Sequence, residues 1–192
     1  MSTSGRVLIV AGSDSGGGAG IQADLKTVTA LGGYAATAIT ALTAQNTQGV
    51  FGIVSVEPAF IAQQMERVLE DIGADCIKTG MLHNAAVIET VVEVLDRAAV
   101  GIPLVADPVM FAKGGDCLLD PAARDTLLQR LLPRATIITP NIREAEALSG
   151  SMIHNPDDLV GVAGQLLEWG PAAVLIKGGH LAGESVTDWL VW

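Results

Sequence analysis

Segments with the pattern of buried strands alternate along this chain with segments that have helical periodicity, and this alternation constrains the fold more than any other feature. Residues 6–13 (RVLIVAGS) form a continuous apolar run, which is typical of a strand covered on both faces. Residues 19–31 then have a helical pattern that ends at two glycines. Because strands that alternate with helices form right-handed βαβ units, the sequence predicts an α/β fold with a mostly parallel central sheet flanked by helices on both faces.

The remaining elements follow from the same two patterns. Further strands are predicted at 34–44, 75–82, 103–110, 135–139 and 172–177. Further helices are predicted at 58–72, 85–98, 122–132, 143–148 and 157–169. We expect one domain over residues 1–192, because the chain shows no linker or repeat and 49% of its residues are hydrophobic.

The last residues, 185–192 (SVTDWLVW), begin another apolar strand. Two tryptophans on a free sheet edge are unfavourable, because proteins usually cover such edges. We therefore expect the natural protein to continue beyond Trp192, which would make this domain incomplete at its C-terminus. A natural edge strand is the alternative.

Charge and cysteine content exclude several classes of protein. Asp and Glu total 21 against 11 for Lys and Arg, and a formal net charge of -10 argues against nucleic acid or an anionic membrane as partner. The two cysteines, Cys76 and Cys117, are too few for a disulfide framework and lack the spacing of a metal site. The N-terminus has no signal-peptide pattern, and no apolar run is long enough to span a bilayer. We expect a cytoplasmic protein.

A glycine-rich loop at residues 12–20 (GSDSGGGAG) joins the first strand to the first helix. Glycines let the backbone approach a ligand closely and take positive φ angles. The helix N-terminus that follows can face an anion or the polar edge of a ligand. Since ligands bind at the carboxyl ends of strands in such folds, the loop predicts a binding site, although a tight turn without a ligand is the alternative.

Two familiar nucleotide motifs do not fit this loop. Residues 18–23 (GAGIQA) match the loose dinucleotide pattern, but the carboxylate that should end the second strand is replaced by Gln45 and Asn46. A P-loop needs the triplet Gly-Lys-Ser/Thr, which the sequence does not contain. The loop therefore indicates neither a dinucleotide-dependent oxidoreductase nor a P-loop NTPase.

Five groups of residues resemble one known family in the right order. They are 11–27 (AGSDSGGGAGIQADLKT), 40–46 (TALTAQN), 78–82 (KTGML), 107–114 (DPVMFAKG) with 139–148 (TPNIREAEAL), and 177–180 (KGGH). The short motifs are shared with sugar, adenosine and pyridoxal kinases, but the long first motif and TAQN are far more specific. Together they resemble the hydroxymethylpyrimidine/phosphomethylpyrimidine kinases of the ribokinase-like superfamily, and the resemblance extends from the first strand to the last residue.

The resemblance implies a ribokinase-like fold and a phosphotransferase of thiamine biosynthesis. Its expected reaction is ATP-dependent phosphorylation of 4-amino-5-hydroxymethyl-2-methylpyrimidine to the monophosphate and then the diphosphate. The family also has a GTGCT-type motif near its C-terminus that supplies the catalytic base, and these 192 residues contain no such motif. The catalytic residue is therefore unknown, and we expect it beyond Trp192. This chain alone should turn over little or nothing.

The resemblance also implies which residues bind the substrate. The amide of Gln45 offers an acceptor and donors that match an exocyclic amine and a ring nitrogen. Asp24 could accept a hydrogen bond from the hydroxyl or the amine, and Gly12 lets the ring come close. Met81 would pack on the ring face. Asp24 as a solvated helix carboxylate and Met81 as a core residue are the alternatives.

Other residues are expected on the phosphate side. Asp107 resembles a magnesium-linked carboxylate, and Asn141 and Glu144 could face the same Mg²⁺ through water. Asn141 and Glu144 also fit a capping box, and both roles can hold together. Lys113 and Lys177 are expected to bind the phosphates of ATP, the co-substrate.

Two other functions stay open. The first is pyridoxal or pyridoxine kinase, since those substrates are also flat heterocycles with a hydroxymethyl group. The second is a catalytically silent pyrimidine-binding domain. The family resemblance further allows a homodimer.

Overall fold

A seven-stranded sheet forms the centre of the molecule in the computed structural model, which describes residues 5–112, 115, 117–179 and 186–192. Its strands are β1 (Arg6–Ala11), β2 (Tyr34–Ile39), β5 (Cys76–Thr79), β6 (Leu104–Ala106), β7 (Ile137–Ile138), β8 (Val174–Ile176) and β9 (Trp189–Val191). Their spatial order is β2-β1-β5-β6-β7-β8-β9, and every neighbouring pair is parallel except β8 and β9. This confirms the mostly parallel α/β sheet.

Helices cover both faces of the sheet. They are α1 (Gly20–Ala30), α2 (Pro58–Asp71), α3 (Ala85–Ala98), α4 (Arg124–Thr126), α5 (Ile142–Ser149) and α6 (Pro156–Leu167). Alternate residues of β1 point in opposite directions, so Leu8 and Val10 join the large core cluster with α2 and α3. Ile9 packs instead with Ile21 of α1 in a smaller cluster. Strand β1 is therefore buried on both sides, as its continuous apolar pattern indicates.

The predicted strand at 34–44 is wrong in extent, because the chain forms two strands there. Strand β2 stays in the main sheet, whereas β3 (Ala41–Asn46) leaves it and pairs with β4 (Gly49–Ser55) as an antiparallel ribbon. The break falls at Thr40, whose buried Oγ1 donates a hydrogen bond of 2.6 Å to the carbonyl of Met81. Strand β4 was not predicted.

Smaller differences concern other elements. The predicted helix at 122–132 is an irregular segment that combines 3-10 turns (Pro121–Ala123 and Leu132–Arg134), α4 and a π turn (Leu127–Leu131). The apolar segment at the end of the chain includes β9, which pairs antiparallel with β8. Cys76 and Cys117 are free thiols. Among the helices of the described residues, none is long and apolar enough to cross a membrane.

Candidate active site

A cavity of about 300 Å³ lies where the carboxyl ends of β1, β5 and β6 meet the ribbon β3–β4. Its lining includes all four residues expected to bind the substrate: Gly12, Asp24, Gln45 and Met81. Asp107 lines it as well. Residues far apart in the sequence therefore converge on one cavity, in the place that the strand-end rule predicts for ligands in open α/β sheets.

The glycine loop owes its shape to Asp14, a buried carboxylate that the sequence interpretation missed. Its oxygens accept hydrogen bonds from the amides of Gly16 (2.8 Å), Gly18 (2.9 Å) and Ala19 (2.8 Å). The amide of Asp14 in turn donates to Oε1 of Gln22, at 2.7 Å. Because these backbone amides are hydrogen-bonded to Asp14, the loop is held in one conformation, and it forms one wall of the cavity. An aspartate followed by a glycine two residues later is a recognisable turn signal that could have identified Asp14.

The glycine loop lies along the edge of β3 and hydrogen-bonds to its odd-numbered residues. The amide of Ser13 donates to the carbonyl of Ala41, and the Oγ of Ser13 accepts from the amide of Thr43. Thr43 Oγ1 donates to the carbonyl of Ser13. Ser15 Oγ accepts a hydrogen bond from the backbone N–H of Gln45 at 2.8 Å and donates one to the backbone carbonyl of Gln45 at 2.7 Å. Two serines thus hold the loop against the ribbon.

Gln45 sits beside an irregularity in the ribbon. Ala44 pairs with Gly52 but Gln45 pairs with Val50, so Phe51 of β4 is an extra residue with no partner in β3. Such bulges twist a strand and change the direction of nearby side chains, and they are frequent next to binding sites. The bulge and the bonds to Ser15 together place Gln45 at the cavity.

Gly12 and Met81 are neighbours in the wall of the cavity. A Cβ at Gly12 would lie 3.2 Å from Sδ of Met81, so the glycine makes room for the thioether. Met81 is mostly buried, with Ala41 and Leu118 in its cluster, and it also lines the cavity. The two alternatives for Met81, core packing and a ligand-facing surface, are therefore compatible.

Asp24 is paired with a residue that carried no separate role in the sequence interpretation. Oδ2 of Asp24, on α1, lies 2.7 Å from Nζ of Lys78, on β5, and both residues line the cavity. About a quarter of each side chain is exposed, at 24% and 22%. Asp24 is therefore an ion-paired carboxylate in a partly desolvated site.

Four of the residues expected on the phosphate side, Asp107, Asn141, Glu144 and Lys177, form a second, adjoining group. Nζ of Lys177 donates to Oδ1 of Asp107 at 2.8 Å, and the amide of Lys177 bonds to the carbonyl of Pro140. Asn141 caps α5 by accepting from the amide of Glu144 at 3.0 Å. The capping box is therefore present, and it adjoins the Asp107–Lys177 pair.

Glu144 is buried, and its two oxygens have different partners. Oε2 accepts from the amide of Asn141 at 2.9 Å, and Oε1 accepts from the amide of Met110 at 3.3 Å. Burial raises the pKa of Glu144, and these two backbone N–H groups and the Lys177 ammonium partly offset that rise. Glu144 thereby connects α5 to the segment after β6 that lines the cavity.

The magnesium site remains a prediction. Within the described ranges, no group of three or more His, Cys, Asp or Glu side chains is placed to hold a metal ion. Asp107 faces the cavity, but the oxygens of Glu144 are engaged with backbone amides, which fits contact to an ion through water better than direct ligation. Lys113, expected at the ATP phosphates, lies outside the described residues.

Comparisons of the sequence with known proteins point to one family. The family model described as phosphomethylpyrimidine kinase matches residues 14–192. The thiamine biosynthesis bifunctional protein ThiED of Geobacter sulfurreducens is 53% identical over 183 residues, which are 95% of this chain and 37% of that protein. The hydroxymethylpyrimidine/phosphomethylpyrimidine kinase of Streptomyces coelicolor is 49% identical over 180 residues, 94% of this chain and 66% of that protein. This chain thus spans between about one third and two thirds of these two relatives.

Solved structures show the same fold. The crystal structure of phosphomethylpyrimidine kinase from Clostridium difficile 630 aligns with a TM-score of 0.89 at 49% identity, covering 97% of this chain and 80% of that one. The pyridoxal kinase from Staphylococcus aureus in complex with pyridoxal aligns with a TM-score of 0.86 at 35% identity, covering 97% and 68%. The fold is therefore ribokinase-like. Since the family model matches residues 14–192, which is far more than half of the chain and includes every strand of the sheet except β1, this chain belongs to the phosphomethylpyrimidine kinase family.

Proposed function

We propose that this protein phosphorylates 4-amino-5-hydroxymethyl-2-methylpyrimidine with ATP, first to the monophosphate and then to the diphosphate, in thiamine biosynthesis. The observation that carries the proposal is the convergence of Gly12, Asp24, Gln45 and Met81 on one cavity in a chain of this family. The reaction is a phosphoryl transfer, which depends mainly on positioning and on neutralising charge.

The cavity suits a flat, uncharged heterocycle with a polar edge. Its apolar lining includes Met81, Val109, Phe111 and Leu118, which can pack on ring faces. The amide of Gln45 can donate to a ring nitrogen and accept from an exocyclic amine at the same time. A substrate of this kind would satisfy both parts of the lining.

The phosphate side is proposed from the Asp107–Lys177 pair. Lys177 would bind a nucleotide phosphate, and Lys113 would assist it. Asp107, with Asn141 and Glu144 through water, would hold the Mg²⁺ that neutralises charge on ATP. The ion pair with Asp107, at 2.8 Å, would keep the Lys177 ammonium at the edge of the cavity before the nucleotide binds. A cytoplasmic location and a homodimer remain predictions.

Substrate preference separates this function from its main alternative. The alternative is pyridoxal phosphorylation, favoured by the likeness to the pyridoxal kinase that binds pyridoxal. Binding of the pyrimidine alcohol and of pyridoxal to this chain can be compared by calorimetry, and ATP consumption can be measured with each. We expect tighter binding of the pyrimidine and slow turnover or none. A clear preference for pyridoxal would overturn the assignment, and robust turnover by the 192-residue chain would exclude the silent binding domain.

Changing Gln45 to leucine should weaken binding of the pyrimidine alcohol by about 1–3 kcal/mol, because the polar edge of the ring then has no partner. The matched control is Gln48→Leu, which makes the same change at the turn of the ribbon, where the backbone N–H of Gln48 donates to Asn46 Oδ1 and would be kept in the variant. The control should bind like the wild type in the same calorimetric titration. Equal affinities for the two variants would remove Gln45 from the binding site.

A further inference from the structure

The ion pair between Asp24 and Lys78 joins a residue of the proposed substrate site to a lysine that has no role in the function proposed so far. The two residues lie 54 positions apart, on different elements, yet their charged atoms meet at 2.7 Å inside the cavity. Among the described residues that line the cavity, Lys78 is the one cation. Its charge must therefore influence which ligands the cavity accepts.

Each carboxylate of the lining has its own hydrogen-bonding or ion-pair partners. Asp14 is held by three backbone amides, and Asp107 is paired with Lys177. Asp24 depends on Lys78 alone among the described side chains. If Lys78 lost its charge, the cavity would gain one uncompensated negative charge at the position of Asp24, in a site where a bound ligand would also exclude water.

Gly80 provides the space that the Lys78 ammonium occupies. A Cβ at Gly80 would lie 3.2 Å from Nζ of Lys78 and 3.0 Å from Cβ of Ala11. Both distances are tighter than ordinary van der Waals contact, so a side chain here would force the ammonium or Ala11 to shift. The glycine after β5 therefore leaves room for the ammonium of Lys78.

We propose that Lys78 is a specificity-determining residue that neutralises Asp24. With the pair intact, Asp24 adds no net charge to the cavity, so one site accepts both an uncharged alcohol and its anionic monophosphate. Without Lys78, the charge of Asp24 would attract cationic ligands and repel the monophosphate. This inference rests on the proposed function, because it concerns the ligands of the same cavity.

Three pyrimidines with the same 4-amino-2-methyl ring provide the test. At position 5 they carry an aminomethyl group, a hydroxymethyl group or the phosphate ester of the hydroxymethyl group. These groups are cationic, neutral and anionic, respectively, at neutral pH. Their dissociation constants are measured by calorimetry with the 192-residue chain and with Lys78→Met. We expect Lys78→Met to tighten binding of the cation and to weaken binding of the anion, each about tenfold. The neutral alcohol should change by less than about threefold.

Two further variants separate charge from structure. Lys78→Arg keeps the positive charge and should keep the wild-type order of affinities. The double variant Asp24→Asn, Lys78→Met removes both charges, so the dependence on ligand charge should disappear whatever its absolute affinity. These variants also keep the inference testable if the single Lys78→Met variant folds poorly.

The outcomes distinguish this inference from the function on which it rests. Weakening of all three ligands by the same factor in Lys78→Met would show a merely structural role and overturn the inference. If the wild type binds the neutral pyrimidine and Gln45→Leu weakens that binding, but no dependence on ligand charge appears, the inference fails and the proposed function stands. A wild type that binds none of the three overturns both.

Discussion

Replacing Asp14 by alanine is expected to weaken binding of the pyrimidine alcohol at least about 100-fold and to lower the free energy of unfolding by about 2–4 kcal/mol. The carboxylate is the shared acceptor for the amides of Gly16, Gly18 and Ala19. Alanine leaves those amides without this acceptor, and the loop then loses the conformation that forms one wall of the cavity. Calorimetric titration and urea unfolding measure the two effects.

Asp71→Ala is the matched control for this prediction, because it removes an exposed carboxylate at the end of α2. It should change neither quantity beyond about 0.5 kcal/mol. Asp14→Asn should be intermediate, since one acceptor oxygen remains but the amide nitrogen faces N–H groups. If Asp14→Ala behaves like Asp71→Ala, water satisfies the loop amides and Asp14 does not hold the loop.

Gly20→Ala is expected to lower the free energy of unfolding by about 2–4 kcal/mol and to abolish measurable binding of the pyrimidine alcohol. Gly20 begins α1 with a φ of +55°, a region that alanine rarely adopts. A Cβ there would also lie 2.5 Å from the carbonyl oxygen of Gly12, which accepts a hydrogen bond from the amide of Ile21. Either Gly12 or the start of the helix must move, and Gly12 lines the cavity.

The same substitution at Gly161 should have the opposite effect on the free energy of unfolding. Gly161 is exposed within α6, and no atom lies within 4 Å of the position of its added Cβ. Alanine there should raise the free energy of unfolding by about 0.5–1 kcal/mol through helix propensity. Urea unfolding of both variants gives the comparison. A Gly20→Ala variant as stable as Gly161→Ala would mean that the loop accommodates a side chain without strain.

Elements with strong local patterns were predicted best. Both bounds of α3 were predicted, because Val87, Val91, Val94 and Leu95 form one buried face and Asn84 caps the helix. The break at Thr40 could not be predicted in the same way. The apolar pattern continues through it, and the bond that fixes it joins Thr40 to a carbonyl 41 residues away. Pattern alone does not separate a strand of the main sheet from a strand of a ribbon.

Some residues of the candidate site could be predicted from the sequence and others could not. The rule that ligands bind at strand ends, together with the family resemblance, indicated Gly12, Asp24, Gln45 and Met81, and all four line the cavity. Lys78 was missed because its partner lies in another element, and nothing in the local sequence indicates that pairing. Long-range ion pairs depend on the tertiary fold, so a single sequence does not reveal them.

The spacing of Ser13 and Ser15 restricts the length of the glycine loop. Their hydroxyls reach Thr43 and Gln45, two residues apart, because every second residue of a strand presents its N–H and C=O groups to the same side. Inserting one residue between the serines would put one hydroxyl out of step with the strand. The register of β3 therefore constrains the number of residues in this loop, in addition to the constraints on its individual side chains.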